Sequence, residues 1–280
     1  MILIIESGST KSNWRFILKG RIFILPDTIG INPNYIREIE LLKILDSLVL
    51  PISKIEKITI YFYGAGCMQF DNKALIKKIY KKIFLNSTIL VESDIIAAAL
   101  SCFGKKKGIA GILGTGSNIC LFDGEQLKES RSGLGFILGD EGSGAYFGKM
   151  LIQDFLNKKM SITDADELKA NFNLSKESIL NKVYKERNPN LFFSNFSIYI
   201  HTNLNNTYYY KLAKRCLLDF FEIHIERINN YKNCKVGLVG SIAFYYEDII
   251  REIAIEKSIE IECIIKKPID KLAEFHLLNQ

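Results

Sequence analysis

A strand bent around a small, glycine-bearing turn occurs twice in this chain, and that repetition limits the possible folds more than any other feature. The first copy begins with the apolar run Met1–Ile5, passes through Glu6-Ser7-Gly8-Ser9-Thr10-Lys11, and continues as a strand-like run from Asn13 to Leu18. In the second copy Ile109–Leu113 meets Gly114-Thr115-Gly116-Ser117, and Ile119–Phe122 leaves that turn. One such segment is compatible with an ordinary β-hairpin. Two of them point to two related half-molecules, each offering a turn to a ligand between them. Glycine and small hydroxyl residues let a backbone approach closely and present N–H groups, which is what a phosphate demands.

Around these turns the pattern alternates between strands and helices. Arg21–Leu25 reads as a third strand, and Pro33 keeps Asn32 out of the helical region in the segment that follows. Helical periodicity from Tyr35 to Leu48, a β-rich run Lys57–Phe62 ending at Gly64-Ala65-Gly66, and an amphipathic helix Asp71–Phe84 come next. Thr88–Val91 is a short strand, and Ser93-Asp94 opens a helix from Ile95 to Cys102. The second half repeats the opening, with a third strand near Gln126–Arg131 and a glycine-dense segment, Gly133–Gly148, that carries Asp140 and Glu141. It then turns helical: Ala145–Lys158, Asp164–Ala170, Glu177–Tyr184, a helical hairpin tip at Phe192-Phe193-Ser194, and a long helix Tyr208–Ile228. A strand Lys235–Val239, the turn Gly240-Ser241, a helix Ala243–Ile255, a strand Ile259–Ile264 and a terminal helix begun by Pro268 complete the chain. These boundaries predict an α/β architecture with domains at 1–105 and 106–267, the helix 268–280 being free to return to the first.

Several function classes drop out. With 280 residues the chain can bury two cores, and it has no apolar run long enough to span a membrane. MILIIE lacks the basic start and long apolar stretch of a secretory signal, which reads as cytoplasmic. Six cysteines show no C-x-x-C spacing and fit buried free thiols. The charge of +6 comes with lysines clustered at 73–82 and 105–107, a solvated helix face with no accompanying nucleic-acid motif. No P-loop, nucleophile elbow or H-E-x-x-H occurs, and three scattered histidines argue against imidazole catalysis. What remains is two phosphate-sized turns and carboxylates at strand ends, the parts phosphoryl transfer uses. Residue by residue, bland roles stay open: Asp94 as a helix N-cap, which the sequence favours, Asp140 as turn chemistry, Lys11 as an exposed turn lysine, and Asn32 as a loop residue.

Four segments, in order, resemble the N-acetylglucosamine kinases of the BadF/BadG/BcrA/BcrD ATPase group, within the superfamily of sugar kinases, actin and heat-shock chaperones. They are Glu6-Ser-Gly-Ser-Thr-Lys-Ser-Asn-Trp14, Leu113-Gly-Thr-Gly-Ser-Asn118, Gly139-Asp-Glu-Gly-Ser143 and Val239-Gly-Ser241. The resemblance runs nearly end to end, and Gly139-Asp-Glu-Gly-Ser143 is its most specific piece. It implies two ribonuclease-H-like (actin-like ATPase) lobes, each a mixed five-stranded sheet with flanking helices, and ATP with Mg2+ in the cleft between them. It further implies that Gly8, Ser9, Thr10 and Lys11 form the first phosphate turn and Gly114, Thr115, Gly116 and Ser117 the second. Gly240 and Ser241 would lie against adenosine, and Glu6 on the magnesium side. Asp94 would accept a proton from a sugar hydroxyl, the 6-hydroxyl of N-acetylglucosamine or a related amino sugar, as it attacks the γ-phosphate. Asn32, Thr115, Asn118, Gly135 and Asp140 match positions that bind the sugar. Leu134 stands where the family often has Trp, which leaves the N-acetyl preference open.

The same group contains ATPases that activate 2-hydroxyacyl-CoA dehydratases through a cysteine-bound iron–sulfur cluster, for which Cys67 is the candidate ligand here. A sugar or nucleotide sensor without turnover is a third reading. The partners expected are a small sugar and ATP, without nucleic acid or membrane, and a homodimer is an open assembly.

Overall fold

A computed structural model describes residues 1–8, 10–48, 57–130 and 134–279, and the chain divides into two units. The first comprises Met1–Lys107, Phe122–Leu127 and Lys267–Gln280; the second comprises Gly108–Leu121 and Lys128–Lys266.

The first unit is built on strands β1 (Ile2–Ser7), β2 (Lys11–Leu18), β3 (Arg21–Ile29), β4 (Ile58–Gly64) and β5 (Ser87–Ser93). They lie in the order β3-β2-β1-β4-β5, antiparallel through β1, β2 and β3 and parallel through β1, β4 and β5. Alternation along β1 and β2 sends Leu3, Ile5, Trp14 and Phe16 to one face. Helices α1 (Glu38–Ser47) and α2 (Phe70–Ile83) cover that face with Leu41, Leu45, Ile76, Ile79 and Tyr80. The other face carries Ile2, Ile4, Ile17 and Tyr63, and it packs against α3 (Asp94–Phe103) and the terminal helix, Ile269–Leu278. Arg15, on this second face, pairs with Asp270 at 2.7 Å and anchors the start of the terminal helix.

β3 extends to Ile29, past the Leu25 end that the sequence reading gives it, and so runs through Pro26. Pro removes a donor from the ladder, which an edge strand tolerates at a bulge. Here the register shifts between Ser12 and Trp14, so that Pro26 and Asp27 together oppose the single residue Asn13.

The second unit contains β6 (Gly108–Leu113), β7 (Ser117–Phe122), β8 (Leu127–Ser130), β9 (Val236–Val239) and β10 (Ile261–Ile265), ordered β8-β7-β6-β9-β10. Third, second, first, fourth, fifth is also the order of the first sheet, so the repeat of the two turns extends to whole sheets. Its helices are α4 (Gly135–Leu138), α5 (Gly144–Leu156), α6 (Ile162–Phe172), α7 (Lys176–Tyr184), α8 (Pro189–Thr202), α9 (Thr207–Phe220), α10 (Ser241–Tyr245) and α11 (Glu247–Glu256).

Three helical expectations are corrected here. Phe192, Phe193 and Ser194 lie inside α8, begun by Pro189, and form no hairpin tip. The long helix ends at Phe220 and continues as a single π-helical turn, Phe221–Ile225, in which Phe221, His224 and Ile225 are all buried. The helix over Ala243–Ile255 is broken at Tyr246, whose hydroxyl donates to the Ser197 carbonyl at 2.6 Å inside the core.

His276 on the terminal helix is 7% exposed, stacks on Tyr61 at 3.8 Å and bonds Tyr63 Oη through Nε2 at 2.8 Å. Burial pushes its imidazole down to about 4 from an ordinary 6.5. The unfolded chain therefore takes up the proton first, and stability present above pH 6.5 is lost as the pH falls towards 4. The effect should be about 3 kcal/mol, and His276→Gln should flatten that acid limb in urea melts between pH 7 and 4.

Candidate functional site

The first turn is closed by the Gly8 N–H donating to the Lys11 carbonyl at 3.0 Å. Ser9 lies outside the described residues. Beneath the turn, Ser7 and Ser12 are directly paired across β1 and β2, and both are fully buried with their Oγ atoms 2.7 Å apart. The Ile31 N–H donates to Ser7 Oγ at 2.7 Å, Ser7 Oγ to the Ile31 carbonyl at 3.1 Å, and Ser12 Oγ to the Ile29 carbonyl at 3.0 Å. With the Gly30 N–H on the Thr10 carbonyl, these bonds fasten the chain leaving β3 to the turn and hold the next residue, buried Asn32, beside it. Asn32 Oδ1 accepts the Asn34 N–H at 3.0 Å, so the loop role and a position at the turn coexist. Neither serine was singled out in the sequence. Their signal is polar residues facing each other at the inward positions of two apolar strands.

Glu6 ends β1 on the opposite face, paired with Asn13 across the ladder. β5 runs into α3 without a loop, and this puts Asp94 at the first helical position. The cap position belongs to Ser93, so the N-cap reading of Asp94 is corrected by one residue. Asp94 accepts its own N–H and that of Ile95, at the positive end of the helix. Burial still outweighs these bonds and lifts its carboxyl to about 6. Burial first, then the like charges of Asp94 and Asp27, lift Glu6 to about 8, with Lys267 opposing. Two half-buried acids at the ends of β1 and β5, strands separated by β4 alone, with one poised near neutrality, are the mark of a site for proton transfer or a cation. Among the described residues no cluster of three metal-ligating side chains forms.

In the second unit the glycine segments meet backbone to backbone. The Gly114 N–H donates to the Gly116 carbonyl at 3.0 Å, while the first N–H groups of α5, from Gly144 and Ala145, donate to the carbonyls of Gly114 and Thr115. Ser143 caps α5 by accepting the Tyr146 N–H at 3.1 Å. Gly240 adopts φ 114°, and a Cβ there would stand 2.3 Å from the Leu113 carbonyl oxygen, so only glycine permits the approach of the Gly240-Ser241 turn to the second phosphate-sized turn. Asp140 takes a left-handed φ of 59°. Its carboxylate accepts the Ser117 N–H, and Oδ2 lies 3.0 Å from where a Cβ on Gly116 would sit. Burial, the largest influence, raises its pKa. Gly114, Thr115, Gly116, Ser117, Asp140, Gly240 and Ser241 are thus gathered in one place, with Asn118 next along β7. Gly135 opens α4, and its carbonyl accepts the Gly139 N–H at 2.8 Å, one residue before Asp140.

Two like sheets, each with a glycine-bearing turn between its first two strands, define the actin-like ATPase class of fold. MreB 5 of Spiroplasma citri, solved with AMPPNP, shares it at a TM-score of 0.57 and 8% identity over 100% of this chain and 95% of that one. A Porphyromonas gingivalis protein assigned as an N-acetylglucosamine kinase superposes at a TM-score of 0.92 with 32% identity, over 100% of this chain and 99% of that one. The chain belongs to the N-acetylglucosamine kinase-like family of that class. An N-acetylmuramic acid/N-acetylglucosamine kinase of Clostridium acetobutylicum is 31% identical over 127 residues, 43% of this chain, and the match spans only 41% of that curated relative's length. No profile of a known protein family matches the chain. Among the described residues no helix is long and apolar enough to cross a membrane.

Gly240→Ala should cost about 3 kcal/mol, since the new methyl must push the Gly240 turn off the Leu113 carbonyl from a backbone angle that alanine resists. Chemical denaturation of the variant measures this, and an unchanged midpoint would show that the two backbones are not in enforced contact.

Proposed function

We propose that the protein is an ATP-dependent kinase that transfers the γ-phosphoryl group to the 6-hydroxyl of N-acetylglucosamine or a related amino sugar. The observation that carries this reading is Asp94: a half-buried carboxylate set at a helix N-terminus and lifted to about 6. A base in that range is ionised at neutral pH yet basic enough to take a hydroxyl proton as the oxygen attacks phosphorus. The two glycine-bearing turns, one closed by Gly8 and Lys11 and one by Gly114 and Gly116, are of the kind that lets phosphates approach a main chain, and Asp140, an acceptor, suits sugar hydroxyls. Asn32, Thr115, Asn118 and Gly135 complete the sugar contacts in this reading, Gly240 and Ser241 the adenosine contacts, and Ser9 and Thr10 the first phosphate turn.

Mg2+ is usually held by one or two carboxylates together with phosphate oxygens and water, and Glu6 fits that modest demand. Its raised pKa reflects burial first and then the like charges of Asp94 and Asp27, and a cation would offset both. Such an ion would neutralise charge on the transferring phosphoryl group. Leu134, 63% exposed, offers the sugar an aliphatic side chain where an aromatic is common in the family, so its influence falls on the choice of sugar. Cytoplasmic residence and a homodimer belong to the same reading.

The activator reading is weaker on one observation. Cys67 is fully buried, and burial pushes its thiol up to about 12, whereas iron–sulfur ligation uses a thiolate.

ADP release with ATP and Mg2+ should be seen on one of N-acetylglucosamine, N-acetylmuramic acid, glucosamine or glucose. Asp94→Asn should lower that turnover by at least about a hundredfold while ATP still binds. For the unaltered protein kcat/KM should fall about tenfold per pH unit below about pH 6, as Asp94 takes up its proton. Unchanged turnover in Asp94→Asn removes Asp94 from the mechanism. ATP binding without turnover on any sugar favours the sensor.

A further inference from the structure

The bulge at Pro26-Asp27 has a product: it turns the Asp27 carboxylate towards β2. Asp27 Oδ1 accepts from Asn13 Nδ2 at 2.7 Å, and Oδ2 lies 2.6 Å from Lys11 Nζ. Lys267 Nζ stands 3.6 Å from the same Oδ2. Partial burial pushes Asp27 up, but the bonds from Lys11 and Asn13 and the charge of Lys267 hold it below the usual carboxylate range, so it is ionised. One negative charge therefore faces two ammonium groups, and the cluster keeps a surplus positive charge.

Lys267 is not a wandering surface lysine. It lies between the end of β10 at Ile265 and Pro268, which precedes the terminal helix, and Arg15 holds that helix through Asp270. Its neighbour Lys266 is engaged by the second unit, donating to Tyr245 Oη at 2.6 Å with Nζ over the Tyr245 ring at 4.4 Å. Lys267 belongs instead to the first unit and stands by Asp27, on the sheet face that carries Glu6 and Asn13. Both Asp27-bound lysines stay accessible, with side chains 55% and 47% exposed.

A triphosphate brings several negative charges, and Lys11 alone, largely balanced by Asp27, meets few of them. We propose that Lys267 is a second polyphosphate-binding cation of the first unit, acting beside Lys11 at the turn that Gly8 and Lys11 close. This assignment rests on the reading of the protein as an ATP-dependent kinase and names a residue outside the four glycine segments. Asp27 is then the group on which Lys267 rests, keeping its ammonium at the turn at little entropic cost when phosphates arrive.

Calorimetric titration of the intact protein with ATP–Mg2+ and, separately, with adenosine tests this for the unaltered chain, Lys267→Met and Lys267→Arg. Lys267→Met should weaken ATP about tenfold and leave adenosine within about twofold, because only the phosphates lose a charge-assisted partner. Lys267→Arg should recover most of the loss. Retained adenosine binding shows that Lys267→Met is folded. Equal ATP affinity in Lys267→Met and the unaltered protein, or a parallel loss of ATP and adenosine, overturns the role of Lys267 and leaves the kinase reading standing. An unaltered protein that binds neither ligand overturns the kinase reading and the lysine with it.

Discussion

Enclosing Glu6 and Asp94 at the ends of β1 and β5 disfavours their charged forms, and much of the first unit can be understood as what makes that placement tolerable. The N-terminus of α3 offers Asp94 two N–H groups and a favourable dipole. On the opposite face, the Ser7–Ser12 pair bonds the backbone at residues 29 and 31, and an apolar pair would leave the buried Ile31 N–H without either hydroxyl. Apart from Arg15, the buried side chains of β1 and β2 are thus apolar along most of the strands and polar at one end. That end is where parallel strands deliver their C-termini, the usual place for ligands in α/β sheets.

The second unit positions its residues by other means. Its side chains do less than its glycines: Gly240 lies against Leu113, and the first N–H groups of α5 bond the turn at Gly114-Thr115. Contacts between main chains leave few rotamers to adjust, so this half of the molecule is set by steric exclusion. Glu141 and His224, bonded at 2.9 Å, show how far the arrangement extends. The π-helical turn after α9 carries His224, and the inserted residue shifts its register relative to an α-helix. The two units therefore reach similar sheets while depending on different chemistry at their turns.

Much of this was legible in the residues. The doubled turn foretold like sheets, because a glycine-bearing bend between two apolar runs has few structural uses. Asp140 was visible because acids set among glycines are rare outside turns and sites. What stayed hidden depends on tertiary contact. Pro26 signals the end of a strand, and only the edge position of β3 lets the strand continue through a bulge; Asp27 was lost with it. Lys267 is one lysine among many, distinguished by a partner some 240 positions earlier in the chain. Tyr246, where α10 gives way to α11, is held by a hydrogen bond to Ser197 that no local propensity encodes.

The terminal helix carries a consequence for how the chain is made. Ile2, Ile4 and Ile17 emerge from the ribosome long before Ile269, Leu272 and Ala273, which cover them. At synthesis rates of roughly 5–20 residues per second, that sheet face spends tens of seconds without its cover. The second unit, encoded between the two, can close its own core meanwhile. That sheet face, translated before the second unit, is therefore completed after it, and during that interval it offers chaperones an apolar surface.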